Sequence, residues 1–381
     1  MTPYSLSRRA PSATRSALRC RAYRRRNPFP AAIRLGRYGD YVDPVAALQE
    51  IAELLAYQRD AGFRARAFTN AARAIQGASL EDLQRISAAG QLAALPGVGD
   101  KTAAVITEAL TGVVPAYLLQ LRAESRADVA TEAGRALQKA LRGDLHLHSD
   151  WSDGGDTMHA MAAAAREIGH EYLALTDHSP RLKVANGLDA QRLSDQLDAV
   201  AAINREFAPF RLLTGVETDI LDDGALDGEP ELLSRLDVVV ASVHSKLRME
   251  RQPMTERMIL AMANPLADIL GHCTGRLVTG RGRPESEFDA DMVFASCLHF
   301  DKAVEINCRP ERLDPPKRML RRVVELGIKV SIDTDAHATH QLQWHPYGCN
   351  RAAECGVPVQ SIVNTWPVDE LLAWCASHES L

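Results

Sequence analysis

The feature that most constrains the fold of this chain is an alternation of short apolar runs with helix-length segments, which starts at Gly143. Short strands that alternate with helical segments are typical of β/α units and a parallel sheet. Seven repeats of this kind favour a parallel barrel over a sandwich. The predicted strands are 144–148, 172–176, 212–217, 238–243, 268–272, 303–306 and 329–332.

Histidine and acidic residues lie at the ends of these runs. His146 and His148 are two residues apart, so both rings project from one face of a strand, and Asp335 and His337 repeat this spacing. Because the carboxyl ends of barrel strands meet at one mouth, we expect these side chains to converge. The full set is His146, His148, Asp153, His178, Glu217, His244, His272, Asp335 and His337.

The composition of this set indicates a metal site. A single histidine of this kind is best explained as a core residue, but six of the 12 histidines of the chain fall at strand ends. Packing alone does not explain such a concentration. Neutral imidazoles with a few carboxylates suit Zn²⁺, Mn²⁺ or Fe²⁺. We therefore predict that the barrel mouth binds divalent transition-metal ions.

The part of the chain before the barrel has a helical pattern. Asp43-Pro44 is a favourable helix start, and Leu48, Ile51 and Leu55 recur at helical spacing after it. Further helices are predicted over 63–75, 80–88 and up to Leu110. Residues 42–112 are thus predicted to form a small all-helical domain, and the polar, alanine-rich segment 113–142 a helical linker to the barrel domain, 143–381.

Residues 1–41 differ from the rest in charge. They carry ten arginines and one acid, a balance of +9, which leaves −14 for the remainder because the whole chain has a net charge of −5. Such a segment cannot bury a core and is predicted to be disordered. An over-extended start or a solvated tail is the favoured explanation, and a transit peptide or a nucleic-acid-binding arm are the alternatives.

The barrel segment resembles a known family in a series of motifs. They are Gly-Asp-Leu-His-Leu-His-Ser from Gly143, Leu-Thr-Asp-His-Ser, Gly-Val-Glu-Thr-Asp-Ile, Ala-Ser-Val-His-Ser, Gly-His-Cys-Thr-Gly-Arg-Leu, Val-Glu-Ile-Asn and Asp-Thr-Asp-Ala-His. Their order and spacing over 143–381 resemble the PHP (polymerase and histidinol phosphatase) family. The resemblance implies a distorted (β/α)₇ barrel and a metal-dependent phosphoesterase.

The resemblance also implies how three divalent ions would be held. The first ion would take His146, His148, Glu217 and Asp335, and the second would take Asp153, His178 and His337. The third would share Glu217 and add His244 and His272. Clustered ions of this kind activate water and hold phosphoryl oxygens, so no Ser or Cys nucleophile is required.

Arginines flank the metal-binding motifs. Arg276 and Arg309 are predicted to contact phosphate, because a guanidinium forms bidentate hydrogen bonds with phosphate oxygens. For Arg281, Arg283 and Arg312, a phosphate contact and a solvated surface position are equal alternatives.

The helical domain contains Pro96-Gly97-Val98-Gly99-Asp100-Lys101, which looks like a helix–hairpin–helix signature. In such a turn the glycines let backbone amides approach a DNA phosphate at the start of the next helix. The predicted DNA-contacting residues are Gly97, Val98, Gly99 and Lys101. A plain helix-joining turn is the alternative explanation of this motif.

The whole of 42–112 resembles the N-terminal domain of bacterial family X DNA polymerases, which also end in a PHP domain. Two departures limit that resemblance. The linker of about 30 residues leaves no room for a nucleotidyl-transferase palm domain, so polymerase activity is not expected. The position of a Schiff-base lysine in related eukaryotic enzymes is occupied by Val105, so lyase chemistry there is not expected either.

The predicted function is therefore a DNA-repair nuclease that hydrolyses phosphodiester or 3′-terminal phosphoester bonds. Exonuclease, 3′-end processing and abasic-site endonuclease activities stay open. The alternative is a small-molecule phosphatase of the histidinol-phosphatase type, and a non-catalytic scaffold is disfavoured because no expected ligand is missing. No apolar run approaches the roughly 20 residues that span a bilayer, so no membrane partner is expected. Seven cysteines without a CxxC pair favour a reducing, cytoplasmic location.

Overall fold

The computed structural model describes residues 43–57, 62–129, 131–279 and 282–378. The predictions for the arginine-rich segment 1–41 and for Arg281 lie outside these residues. None of the helices in the described ranges is long and apolar enough to cross a bilayer.

The described C-terminal part forms a seven-stranded parallel sheet with helices outside it, which confirms the predicted β/α barrel. The strands are β1 (Gly143–Asp144), β2 (Tyr172–Leu175), β3 (Arg211–Asp219), β4 (Val238–Ser242), β5 (Ile269–Leu270), β6 (Ala303–Asn307) and β7 (Val330–Asp333). β1 and β5 are each three residues shorter than predicted, and β2 and β4 are each one residue shorter. The predicted ligands His146, His148 and His272 lie just beyond the ends of β1 and β5.

The strand order follows the chain from β1 to β7. Beyond the strand ends, the first and last segments also meet, through a parallel bridge between Leu147 and Ala336. The amide of His148 donates to the carbonyl of Ala336 at 2.8 Å, and the amide of Asp335 donates to the carbonyl of His146 at 2.9 Å. The sheet is therefore nearly closed, and the seam lies at the predicted metal ligands.

Helices cover the outside of the barrel and its lower end. Those after β1 are α7 (Met158–Glu167), α8 (Ala190–Phe207), α9 (Pro230–Leu233), α10 (Arg251–Met262), α11 (Ala290–His299), α12 (Lys317–Leu326), α13 (His345–Cys355) and α14 (Val368–Ser377). Trp374 of α14 packs with Leu145 and Val238 of the barrel interior. The side chain of Asn364 donates to the carbonyls of Gly143 and Ile332, so it joins β1 to β7 at the end opposite the mouth.

The helical part begins where the sequence indicates. The carboxylate of Asp43 accepts hydrogen bonds from the amides of Val45 and Ala46 and caps the first helix. Buried residues such as Ile51, Phe68 and Ile106 form one apolar core. The helices are α1 (Pro44–Tyr57), α2 (Gly62–Ile75), α3 (Leu80–Ala88) and α4 (Asp100–Leu110), followed by α5 (Ala116–Val129) and α6 (Glu132–Ala140) in the linker.

The helical part and the barrel are in direct contact. Thr131, the cap of α6, bonds through its amide and hydroxyl to Asn350 of α13 at 3.0 and 2.8 Å. Glu53 of α1 accepts hydrogen bonds from His340 and Gln341, which lie in the segment after β7. Because the partners in both contacts are more than 200 residues apart in sequence, these contacts belong to the tertiary fold.

Candidate metal centre

The structure brings all nine predicted ligands together at the barrel mouth. Each follows or ends a strand, as parallel barrel geometry requires. They fall into four overlapping groups whose nitrogen and oxygen atoms lie within 4.8 Å of one another. The groups are His148, Asp153, His178 and His337; His146, His148 and Asp335; His146, Glu217 and His272; and His178, Glu217 and His244.

Glu217 lies at the centre of these groups. It is 1% exposed, and each of its two carboxylate oxygens faces a different set of imidazoles. Its oxygen-to-nitrogen distances are 3.4 Å to His146, 3.6 Å to His148, 2.9 Å to His178, 3.1 Å to His244 and 2.8 Å to His272. This position suits a carboxylate that bridges two cations.

The hydrogen-bonding state of these side chains fits a metal site. Among the residues that the structure describes, several buried ligand atoms have no hydrogen-bond partner, although imidazoles and carboxylates approach closely. These atoms are Nε2 of His146, both ring nitrogens of His148, Nδ1 of His178, Oε1 of Glu217, Nε2 of His244 and Nδ1 of His272. A buried polar atom without a partner costs free energy, which a bound cation would offset. The donor set of imidazoles and carboxylates suits a divalent metal ion.

The electrostatics of the mouth differ between its side chains. Burial would lower the pKa values of His146 and His244, but the nearby carboxylates, Glu217 among them, outweigh it and raise both. Burial would raise the pKa of the Glu217 carboxyl, but the imidazoles of His244 and His146 outweigh it and hold that pKa well below its usual value. Burial, followed by the neighbouring His337 and His178, lowers the pKa of His148 well below its usual value. Glu217 is therefore an anion and His148 a neutral base, as cation binding requires.

Two further carboxylates orient the histidines. Glu305 lies 2.6 Å from Nδ1 of His146, and Asp219 lies 2.6 Å from Nδ1 of His244. Each leaves Nε2 to face the centre, an arrangement that fixes the ring and its tautomer in metal sites. Both residues lie in the PHP-like motifs of the sequence, but neither is among the predicted site residues. For Asp219 the sequence did contain a signal: it lies two residues after Glu217 on one strand, so both side chains project from the same face.

Two arginines lie beside the centre. Nη1 of Arg309 is 3.0 Å from Nδ1 of His337, and its guanidinium lies over Trp344 at 5.7 Å. Nε of Arg312 is 3.2 Å from Asp335. Within the described residues, Nε and Nη1 of Arg312 are buried without a hydrogen-bond partner. Arg312 therefore lies at the mouth and not on a solvated surface.

The other arginines are engaged elsewhere. Arg276 donates to the carbonyls of Arg312 and Leu313 and pairs with Glu285 at 3.4 Å. Its guanidinium thus ties two loops of the mouth together, and its contact with phosphate stays a prediction. Arg283 donates to the carbonyl of Gly275 at 2.5 Å.

The glycine-containing turn has the form expected of a hairpin between helices. Gly97 has φ +90°, a conformation that favours glycine, whereas Gly99 is extended with nothing within 4 Å of the place of a Cβ. Val98 is buried, and its amide donates to the carbonyl of Leu95. The ammonium of Lys101 lies 4.9 Å from the ring centre of Tyr117. The open approach is therefore at Gly99 and the first turn of α4.

Comparisons with known proteins agree with this architecture. Residues 42–113 match the family model described as a helix-hairpin-helix domain, and residues 144–307 match the model of the PHP domain. The order of the two matches follows the order of the helical part and the barrel.

Several curated proteins are similar to this chain. The DNA polymerase/3'-5' exonuclease PolX of Bacillus subtilis (strain 168) is 39% identical over 239 residues, which cover 63% of this chain and 42% of that protein. The chain thus spans less than half the length of that relative. A probable phosphatase of Thermoanaerobacter sp. (strain X514) is 26% identical over 241 residues, which cover 58% of this chain and 89% of that protein.

Among solved structures, the histidinol phosphate phosphatase of Lactococcus lactis, complexed with zinc, L-histidinol and phosphate, is 16% identical with a TM-score of 0.37. The match covers 55% of this chain and 93% of the phosphatase chain. That level of structural similarity is too low to bear on the fold or the function. The family models and the barrel with its converging ligands carry the assignment. Residues 42–113 are therefore a helix-hairpin-helix domain, and residues 144–307, which follow it in the chain, are a PHP domain.

Proposed function

We propose that this protein hydrolyses phosphoester bonds in DNA, at strand ends or damaged sites, during DNA repair. The observation that carries the proposal is the presence in one chain of a buried carboxylate–imidazole centre and a helix–hairpin–helix turn. The former suits phosphoester hydrolysis and the latter suits a grip on a phosphate backbone. The similarity to a protein named as a 3'-5' exonuclease supports this choice of substrate.

We propose further that the centre holds three divalent ions, of Zn²⁺, Mn²⁺ or Fe²⁺. Glu217 would be shared between two of them, because its two oxygens face different imidazoles. The proposed ligands are the nine residues of the mouth: His146, His148, Asp153, His178, Glu217, His244, His272, Asp335 and His337. Bound ions of this kind supply Lewis acidity and a nucleophile derived from water.

The side chains of the mouth have separate tasks in this proposal. The guanidinium groups of Arg309 and Arg312 would hold phosphoryl oxygens, since planar N–H donors match phosphate geometry. Arg276 would position Arg312 by holding its carbonyl. Glu305 and Asp219 would keep His146 and His244 in the tautomers that present Nε2 to the centre.

The helical domain would supply the grip on DNA. The amides in the first turn of α4 lack acceptors within the helix, and Gly99 leaves room for a phosphate beside them. We propose 42–112 as this DNA-binding domain, 113–142 as linker and 143–381 as the hydrolytic domain, a division that the bounds of the two family matches support. We also expect a reducing, cytoplasmic location, because the cysteines of the described residues are free thiols.

A small-molecule phosphatase is the second candidate, favoured by the similarity to proteins named as probable phosphatases. The deciding experiment compares hydrolysis of end-labelled DNA with that of histidinol phosphate, using Mn²⁺- and Zn²⁺-loaded protein. We expect DNA to be degraded or trimmed at its 3′ end and histidinol phosphate to be a poor substrate. The reverse preference would replace the DNA proposal with the phosphatase.

A further inference from the structure

The segment that carries Asp335 and His337 is held from two sides. On the barrel side, the amide of Gly155 donates to the carbonyl of His337 at 2.7 Å, and the amide of Asp335 donates to His146. On the outer side, the amide of His337 donates to Oε1 of Gln341 at 2.6 Å. Both ends of the His337 peptide are therefore fixed by hydrogen bonds.

This segment needs such support because its backbone is strained. Asp335 has φ +52°, the left-handed region that residues other than glycine rarely adopt. Conformations of this kind persist only where the surroundings hold them, and they cluster at functional sites. The hydrogen bonds of Asp335 and His337 thus help to keep the carboxylate and the ring aimed at the centre.

Gln341 is in turn held by the helical domain. Its side chain is buried, and Nε2 donates to both carboxylate oxygens of Glu53 in α1, at 3.1 Å each. The negative charge on Glu53 fixes the orientation of the amide, because only the NH₂ end can donate to it. The oxygen of Gln341 is thereby turned towards the amide of His337.

We infer that the helical domain completes the metal centre through Glu53 and Gln341, which act as positioning residues for His337. The inference rests on the proposed role of His337 as a ligand. The helical domain then does more than grip DNA, since the hold of the barrel on its metal depends on α1 being docked. Loss of a partner that orients a metal ligand typically costs about 10- to 100-fold in metal affinity or activity.

The test uses the full-length chain and measures metal retention. Wild type and variants are loaded with Mn²⁺ or Zn²⁺, dialysed against a graded chelator and analysed for bound metal by elemental analysis. Glu53→Ala removes the carboxylate that orients Gln341, and Gln341→Glu places two carboxylates against each other. Both variants should need about tenfold less chelator to lose metal.

Two further variants separate positioning from simple docking. Glu53→Gln combined with Gln341→Glu reverses donor and acceptor. The carboxylate introduced at position 341 can still accept from the amide of His337, while the amide introduced at position 53 donates to that carboxylate. This double variant should recover most of the metal retention. His340→Gln alters the other contact of Glu53 at the same surface but no bond to His337, and should retain metal within about twofold of wild type.

The outcomes are distinct. Wild-type metal retention by Glu53→Ala would overturn the inference, as would an equal loss in His340→Gln, which would indicate docking alone. The half-saturating Mn²⁺ concentration for hydrolysis of bis(p-nitrophenyl) phosphate gives a second readout on the same variants. Because metal retention is measured without DNA, this test can fail or succeed independently of the proposed substrate. If Gln341→Glu does not fold, Glu53→Ala and His340→Gln still decide the question.

Discussion

The barrel mouth and the glycine-containing turn of the helical domain present polar groups in opposite ways. At the mouth, buried side chains such as Glu217 and His148 converge with ring nitrogens and an oxygen left without partners in the described structure. At the turn, Val98 is buried with its amide already bonded, and Gly99 leaves open space beside the backbone. The proposed role of the mouth therefore depends on buried side chains that are present, whereas the proposed role of the turn depends on the space left where Gly99 has no side chain.

This contrast predicts that the mouth is damaged by removing charge. Glu217→Gln keeps the shape of the side chain but removes the charge that faces five imidazoles. Because loss of an outer partner alone costs about 10- to 100-fold, we expect hydrolysis of a chromogenic phosphodiester to fall by more than about a hundredfold. Metal content should fall with it, while the far-ultraviolet circular dichroism is unchanged.

The matched control is Glu171→Gln, which removes the charge of a surface residue whose side chain is 54% exposed and pairs with Arg142. It should behave as wild type. Turnover of Glu217→Gln close to that of the control would show that the proposed ligand set is wrong.

A second change of the mouth tests its outer layer. Glu305→Gln weakens the hold on Nδ1 of His146, which lies 2.6 Å from the carboxylate. We expect a loss of about 10- to 100-fold in the rate of phosphodiester hydrolysis and in metal affinity. Asp291→Asn, at a surface pair with Arg322, serves as control. Equal metal affinity in the two variants would exclude an orienting role for Glu305.

The turn should instead be damaged by adding atoms. Gly99 has an extended backbone that valine also adopts, and nothing lies within 4 Å of the place of a Cβ, so Gly99→Val leaves the fold intact. The added side chain blocks the approach of a phosphate. We expect DNA affinity to fall about tenfold, since a charge-assisted hydrogen bond contributes about 1.5–3 kcal/mol.

Hydrolysis of the small phosphodiester should be unchanged in Gly99→Val, because the barrel is untouched. Ala93→Val, which places the same valine side chain at another exposed position of the helical domain, is the control for DNA binding. Binding that is equally strong in both variants, measured across a range of salt concentrations, would remove the turn from the DNA-contacting surface. A substitution is preferable to deleting the domain, which would also remove Glu53.

The smallest predicted effect concerns the junction between the two regions. Burial would lower the pKa of His340, but the hydrogen bond to Glu53 and the charge of Glu50 outweigh it and raise that pKa above 6.5. A histidine whose pKa is raised on folding stabilises the protein below the unfolded pKa, and this stabilisation is lost as pH rises through the folded value. The contribution is below about 1 kcal/mol, because Glu53 is partly exposed and solvent screens the pair.

The stability difference between wild type and His340→Gln should therefore be largest near pH 6 and shrink towards pH 9. In thermal unfolding this corresponds to a difference in Tm of no more than about 2 °C at the lower pH. A difference that stays constant between pH 6 and pH 9 would mean that the charge of His340 does not contribute to docking.

The sequence predicts the fold, and it predicts which residues lie at the barrel mouth, because both depend on local patterns. Strand ends mark Glu217 and Asp335, and helical spacing marks Ile51 in the helical domain. The structure adds the partners that depend on tertiary contacts. Glu305 and Gln341 have no periodicity or metal-ligand spacing of their own, and Gln341 meets Glu53 across 288 residues of sequence. For Arg312 the sequence could not separate a solvated position from the half-buried one beside Asp335 that the fold gives it.

The closure of the barrel by its first and last strands has a consequence for how the protein is made. A chain emerges from the ribosome with its N-terminal part first. The helical domain and His146 are thus available early, whereas Asp335, His337 and Asn364 follow only after all seven strands. The seam cannot form until then. The proposed set of metal ligands is therefore complete only after the whole barrel has been translated, and synthesis that stalls before β7 would release a chain without Asp335 and His337.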